Sequence, residues 1–273
     1  MSNPVVPVPP ARIPRGGSML PDLTFRAIYV WYRDFTVWTT FYKASLIGNL
    51  GEPLLYLLAM GWGLGKMVGS VNGVPYISFL APGLVCSAAM YAATFECTFG
   101  AFTRMTRQLT YDAILATPVS LDEIVLGEIL WGATKSFFSG TAMLVVMALF
   151  GLVRSPWAIL ALPLAFIIGL LFAALSMIVT AKSPSYDFFS YYFTLGIAPM
   201  FLFSGIFFPL GNLPGWAQTF AWFLPLTHGV TVSRALFMGT VSWEMLGDIA
   251  WLAVFFCLAF MLAIRGIRKR LVM

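Results

Sequence analysis

ECTFGAFTRMTRQLTYDAILATPVSLDEIVLGE, residues 96–128, decides how the rest of the chain reads. Its centre, from Arg104 to Glu123, is polar enough to sit in water, yet long uncharged runs press on it from both sides. Such a segment is a short cytoplasmic connection between two membrane helices. Within it, residues 107–115 read as roughly two turns of helix, with Leu109 and Ala113 on one side and Arg107, Tyr111 and Asp112 spread around the others. Thr117-Pro118 stops that helix, because proline lacks the next donor and biases its predecessor away from helical dihedrals. Ser120, with Glu123 three positions on, has the spacing of a capping box and opens the next helix. The segment is a small structured handle on which a body outside the membrane can pull.

Composition bounds what such a handle serves. Of 273 residues, 60% are hydrophobic and only 10% charged, with a mean hydropathy of +0.87, whereas a soluble domain averages about 25% charged residues. This is a polytopic membrane protein. At about 20 apolar residues per crossing, the length allows six spans and modest loops and leaves no room for a soluble catalytic domain. The net charge of +5 is too small to suggest nucleic-acid binding. Cys86, Cys97 and Cys257 sit in apolar runs without metal-ligand spacing and read as packing residues. Residues 1–20 lack the apolar core of a signal peptide and read as a disordered, proline-rich cytoplasmic tail.

Residues 21–42 carry Ile28, Trp31, Tyr32, Phe35, Trp38 and Tyr42 at helical spacing, with Arg26, Arg33 and Asp34 away from that stripe. This predicts an amphipathic helix lying in the inner headgroup layer. The first span, 43–66, is uncharged inside except for Glu52; the second, 76–103, carries Glu96; the third, 124–150, carries Glu128 and Lys135; the fourth follows Pro156 and ends at Lys182. A charge near the bilayer centre costs about 2.5–3.5 kcal/mol on insertion scales, so these side chains are expected to face protein or a wet cavity. They either line a polar cavity or pair among themselves. Lys135 lies roughly 10 Å deeper than Glu128 at about 1.5 Å per residue, too deep to reach the inner interface easily.

Residues 188–233 hold 46 positions without Asp, Glu, Lys or Arg. Two spans would fit, but a final span at 249–264 is followed by Arg265, Arg268, Lys269 and Arg270. With six spans, twelve basic residues face inward and only Lys66, Arg154 and Arg234 face outward, as the positive-inside rule requires. The surplus then enters the outer leaflet and returns: a fifth span at 188–208, followed by two short re-entrant helices near 216–223 and 227–237 within a hairpin at 209–238. Pro209, Gly211, Pro214, Gly215, Pro225 and Gly229 break the helices there. The fold class is all-α and polytopic, with six transmembrane helices, an N-terminal interfacial helix and an outer re-entrant hairpin between spans five and six.

Three stretches, YISFLAPG (76–83), LATPVSLDEIVLGE (115–128) and SGIFFPLGNLP (204–214) followed by LPLTHG (224–229), resemble ABC type-2 exporter permeases. AATFECTFGAFTRM (92–105), LWGATKS (130–136) and SPSYDFFSYYFTLGIAPMFLFSG (183–205) are similar to the nodulation lipo-oligosaccharide exporter permeases within that family. The resemblance runs from about residue 25 to 270. It implies one transmembrane domain, 21–270, in a homodimer bound to two copies of a separate ATPase, with the loop 104–123 seated in a groove of that ATPase. ATP and magnesium belong to the ATPase, and this chain carries no cofactor. By position, the coupling residues are Arg107, Gln108, Thr110, Tyr111, Asp112 and Leu115.

GWGLGKM, residues 61–67, superficially suggests a phosphate-binding loop, but its spacing is one residue short and Met67 stands where a magnesium-binding hydroxyl belongs. His228, the lone histidine, has no acidic neighbour in sequence and reads as a structural hydrogen-bonding group. Glu52, Glu96, Lys135, Tyr191, Tyr192, Phe207 and Phe208 are the expected substrate-pathway residues. The expected function is the permease subunit of an ATP-driven exporter in the bacterial inner membrane, both termini cytoplasmic, moving an amphipathic lipid-linked saccharide or related lipid. Export of a polysaccharide or a hydrophobic drug-like compound suits the same architecture. An intramembrane enzyme would need a convergent nucleophile and base, and a secondary carrier internal repeats; neither is evident.

Overall fold

The structure is a computed structural model that describes residues 21–71 and 73–271; the tail 1–20 lies outside the described residues. Nearly all of it is helix. α1 is Ala27–Trp38 and α2 is Tyr42–Leu58, which continues through a π-helical segment, Ala59–Leu64, and a last turn, Gly65–Val68. A two-residue strand pair, β1 (Ser70–Val71) with β2 (Val74–Pro75), is the one departure from helix among the described elements. α3 is Tyr76–Thr106, α4 Thr110–Leu115, α5 Leu121–Leu149 and α6 Pro156–Lys182. α7, Asp187–Tyr192, runs on through Phe193–Ile197 to Ala198–Phe203. α8 is Gly215–Phe223, α9 Pro225–Met238 and α10 Glu244–Leu271.

α3, α5, α6 and α10 are long and apolar enough to cross a membrane, so the chain is an all-α polytopic membrane protein. α3 is the central post. Its inner residues are small (Ala81, Gly83, Ser87, Ala88, Ala89, Ala92, Ala93), which lets α2, α5, α6 and α9 surround it. α6 packs in turn on α5 and α10. Lipid tails are as apolar as leucine, so close backbone approach rather than hydrophobicity drives such contacts. A Cβ at Gly132 of α5 would meet Cys97 Sγ at 2.7 Å, and one at Gly169 of α6 would meet Ser136 Cβ at 2.6 Å. Ser155 opens α6 by accepting from the Trp157 amide at 3.3 Å, with Pro156 at the first helical position.

Three expectations need correction. The handle helix begins at Thr110, not at residue 107, because α3 runs through Arg104 to Thr106 and Leu109 then takes left-handed dihedrals, φ 52°. The fifth helical run ends at Phe203, with residues 204–208 bent rather than helical. α1 is shorter than 21–42; Ala27, Val30, Asp34 and Trp38 are buried, whereas Ile28 and Tyr32 of the apolar stripe are exposed. In a membrane protein the apolar stripe marks lipid as readily as core. The helices at 215–223 and 225–238 do fall where the proline and glycine breaks place them.

α1 lies against α5 at Gly127, where a Cβ would come within 2.6 Å of Val30 and 2.9 Å of the Ala27 carbonyl. Gly127→Ala should lower stability and Gly127→Leu more, the larger by about 1–3 kcal/mol as expected for overpacking. Unfolding midpoints of the purified protein check this; midpoints equal to wild type in both variants would contradict the close approach.

Candidate functional site

The handle is built by strictly local means. The Arg107 amide donates to Thr103 O at 2.9 Å and closes α3. The left-handed Leu109, a conformation costing about 1–2 kcal/mol for an L-residue, then reverses the chain into α4. Thr117 Oγ1 donates to Ile114 O at 2.6 Å beyond its end. Ser120 caps α5 in both directions: its Oγ accepts from the Glu123 amide at 3.2 Å and its own amide donates to Glu123 Oε2 at 2.6 Å. Arg107, Gln108 and Asp112 are exposed, Thr110 and Leu115 half-buried, and Tyr111 is wholly buried as the handle's anchor.

Beneath the handle is a buried cluster of ions that no single stretch of sequence announces. Arg104 donates from Nη1 to Glu96 Oε1 at 2.7 Å and grips Glu128 with two nitrogens, Nε at 2.8 Å and Nη2 more closely. Its Nε lies 3.8 Å from Asp34 Oδ1. Lys135 Nζ donates to Glu96 Oε2 at 2.7 Å, and Arg33 Nη1 to Asp34 Oδ1 at 2.8 Å. Asp34, Glu96 and Glu128 thus face Arg33, Arg104 and Lys135, and the formal charges balance. The cluster joins α1, α3 and α5. Burial first, and then the Glu128 charge, push the Asp34 carboxyl up to about 7, against the pull of Arg104 and Arg33. A π-helical turn at Glu96–Gly100 aligns it, a feature frequent at functional sites. Glycine at 100 leaves the carboxylate its place, since a Cβ would stand 2.7 Å from Glu96 Oε1 and displace it. An opening of about 400 Å³ borders the cluster between α1 and α3.

A second set of polar ties holds the same end of the molecule. Asp122, at the start of α5, takes a paired grip from Arg268 of α10, Nε to Oδ1 at 2.7 Å, and accepts from the Asp22 amide at 2.8 Å. Thr24 Oγ1 donates to Glu123, and Arg26 Nη1 to the Pro118 carbonyl at 2.6 Å. Arg270 Nη1 donates to the Thr180 and Ser183 carbonyls, each at 2.6 Å, at the C-terminal end of α6. The segment before α1, the handle and the last turns of α10 therefore meet at one end.

Of the expected pathway residues, Glu96 and Lys135 are brought together and paired. Phe207 is buried near the start of α3, where its carbonyl accepts from Tyr76 Oη at 3.1 Å. Twenty residues along α3 separate that point from Glu96, roughly 30 Å at 1.5 Å per residue, so the set does not converge on one place. Phe208 is half-buried, Tyr191 exposed, and Tyr192 Oη lies 3.5 Å from Ser176 Oγ. Glu52 is exposed on α2. Residues 61–67 are helical, with Gly61 packed on Ile77. Cys86 and Cys97 are buried and Cys257 exposed, all three as free thiols.

Sequence reasoning missed Asp34 and Arg104 as members of one cluster, because the contacts that join them to each other and to Glu128 run between helices, and it missed the acid beside His228. His228 Nδ1 is 2.7 Å from Asp248 Oδ1 and Nε2 is 2.8 Å from the Trp222 carbonyl. A carbonyl only accepts, so Nε2 carries a hydrogen. The ring also stacks on Trp251, centroids 4.4 Å apart, and so ties α8, α9 and α10. Twenty residues separate His228 from Asp248, too far for a spacing argument to find.

Removing one partner from a buried ionic group costs about 3–5 kcal/mol because the others stay charged. Arg104→Ala should fall in that range. Adding Glu128→Gln should recover part of the loss, since one orphaned charge is gone. A double-mutant cycle of unfolding free energies checks this, and strictly additive losses would contradict the pairing.

Residues 27–238 match the family described as ABC-2 type transporter. The chain is 43% identical over 254 residues to Nodulation protein J of Rhizobium meliloti (strain 1021), covering 93% of this chain and 97% of that protein. It is 39% identical over 257 residues to Nodulation protein J of Sinorhizobium fredii (strain NBRC 101917 / NGR234), covering 94% and 98%. Similarity also extends to Inner membrane transport permease YadH of Escherichia coli (strain K12), 22% identical over 230 residues, 83% of this chain and 88% of that one. With the match spanning most of its length, from the helix that packs on Gly127 to the end of α9, this chain belongs to the ABC-2 type transporter family.

Proposed function

We propose that the chain is the permease subunit of an ATP-driven exporter that moves an amphipathic lipid-linked saccharide, or a related lipid, out of the inner leaflet of the bacterial inner membrane. Membership in the ABC-2 type family and near full-length similarity to proteins named Nodulation protein J support this reading. The observation that carries its mechanism is the exposed handle mounted on a buried ion cluster. ATP is hydrolysed by a separate subunit, two copies of which clasp a homodimer of this chain. Arg107, Gln108 and Asp112 meet that subunit; Thr110, Tyr111 and Leu115 hold the handle to the body. When the ATPase moves the handle, Arg104 carries the displacement to α1 through Asp34 and to α5 through Glu128.

In this reading the chain crosses six times, α2 and the helical run 187–203 adding to the four long helices. α1 lies in the inner headgroup layer, and both termini are cytoplasmic. Asp22, the handle and Arg268 share one end, which suits an even number of crossings. α8 and α9 are re-entrant from the outer face and stapled to α10 by His228 and Asp248. Cargo passes between the polar end near Glu96 and Lys135 and the aromatic end near Phe207 and Phe208, with Glu52, Tyr191 and Tyr192 toward the partner copy or the lipid.

Charge reversal tests the handle. Arg107→Glu and Asp112→Arg should each weaken retention of the ATPase in pull-downs by about tenfold or more, as loss of interface charge complementarity does, and should abolish coupled lipid export. Wild-type retention and export in both variants would overturn the assignment.

A further inference from the structure

His228 stands between two acceptors on two different helices. Its Nε2 faces the Trp222 carbonyl of α8 at 2.8 Å, and its Nδ1 faces Asp248 Oδ1 of α10 at 2.7 Å. A neutral imidazole carries one N–H, an imidazolium two. Both contacts are hydrogen bonds at once only while the pair holds one proton more than neutral imidazole plus carboxylate, whether that proton sits on Nδ1 or on the carboxyl. When it leaves to water, the pair keeps one uncompensated negative charge, and two lone pairs oppose each other across 2.7 Å. Moving the remaining hydrogen to Nδ1 restores the Asp248 bond but sets a bare Nε2 against the Trp222 carbonyl. The bond to a carboxylate is the stronger of the two, so the contact given up is the one to α8.

α8 has little else to hold it. It buries only Ala217 and Ala221, while Trp216, Phe220, Trp222 and Phe223 are exposed. Trp216 and Phe220 touch Phe203, and the Trp222 ring meets Trp251 with centroids 6.4 Å apart. The Trp222 carbonyl lies in the last turn of α8, where no amide within the helix can satisfy it. Asp248, 23% of whose side chain is exposed against 8% for His228, opens the pair to water.

No other charge competes for His228 among the described residues. α8 presents only its carbonyl and rings, and α6 is uncharged from 155 to 181, meeting α9 through Ile168 at Gly229. Residues 198–203 are uncharged too. From α3 the Cys86 thiol donates to the Gly229 carbonyl at 3.5 Å. On α9 itself, Arg234 is turned to the Gly205 carbonyl and the Phe79 ring. Glu244, one turn before Asp248 on α10, is exposed.

We propose that His228 and Asp248 form a proton-dependent latch: holding the proton, the pair fastens α8 to α9 and α10, and without it the Trp222 end of α8 is released. The latched form binds the proton, so the hold is present at low pH and lost as pH rises. From the exporter reading this takes only the placement of α8 and α9 at the outer mouth, where the cap of the pathway then answers to the acidity of the outer water.

Hydrogen–deuterium exchange of residues 215–224, read by mass spectrometry on the full chain purified with its ATPase partner in phosphatidylcholine nanodiscs, tests this. The pH runs from about 5 to about 9, a range that brackets histidine titration, and comparing variants at equal pH removes the intrinsic dependence of exchange. At the acidic end His228→Phe, which keeps a ring against Trp251 but has no N–H, should speed exchange of this segment by about tenfold or more, as loss of a hydrogen bond from a charged group does. At the alkaline end it and wild type should coincide. Asp248→Asn should stay protected throughout, because the asparagine amide donates to Nδ1 while Nε2 serves Trp222, and no extra proton is needed. A ratio of wild type to His228→Phe that does not change with pH would overturn the proposal. So would Asp248→Asn losing protection with rising pH as wild type does, a comparison that decides alone if His228→Phe does not fold. Exchange does not depend on which face α8 occupies, whereas sidedness at Gly211 does, so failure of the latch and failure of the outer placement are separately visible.

Discussion

Arg104 is the constraint on which the handle end of this molecule depends. Its guanidinium is surrounded by carboxylates from three helices, α1, α3 and α5; without it Glu128 would lose its ion pair, and Glu96 and Asp34 would keep only Lys135 and Arg33. The energetic lesson of buried ion pairs is asymmetric: forming one adds little net stability, while breaking one costs several kcal/mol, about 3–5. Such a cluster specifies geometry more than it stabilises. Hydrophobic side chains of similar bulk could hold the same helices together in lipid. They could not make displacement of α3 so costly for α1 and α5 to ignore.

That rigidity explains features that otherwise look unrelated. The π-helical turn at Glu96–Gly100 adjusts the register between Glu96 and Arg104, and Gly100 leaves space for the contact. Gly127 lets α1 approach α5 closely enough for Asp34 to reach the cluster. Leu109 accepts an unfavourable conformation so that α4 folds back over the same end. The far end of the molecule is organised differently, by Phe201, Phe207 and Tyr56 meeting tilted or edge to face with centroids 5.0–5.7 Å apart and by the His228–Asp248 tie. On the proposed reading, one end receives force and the other yields to it.

What the sequence made legible was whatever a local rule governs. The Ser120–Glu123 cap, the stop at Thr117-Pro118, the extents of α3, α5 and α6, and the short helices α8 and α9 all follow from spacing, proline or the length of an apolar run. The handle's start and the face buried by α1 did not. A left-handed leucine carries no compositional signal, and an apolar stripe on a membrane protein does not say whether lipid or protein covers it. Glu96, Glu128 and Lys135 stood out because charge is rare in these runs, but the partner shared by the two carboxylates did not, because Arg104 reads as an ordinary basic residue at a cytoplasmic boundary. Asp34 was masked in the same way by its neighbour Arg33.

The account turns on sidedness: the chain's two ends and the handle must share the cytoplasmic face for a motor outside the membrane to grip this subunit. In spheroplasts expressing a variant without native cysteines, a membrane-impermeant maleimide measures this directly at Lys269→Cys, with Gly211→Cys as the outward-facing comparison. The account predicts that position 269 labels only after lysis and position 211 labels in intact spheroplasts. Labelling of position 269 from outside would contradict the topology and, with it, the proposed mode of coupling.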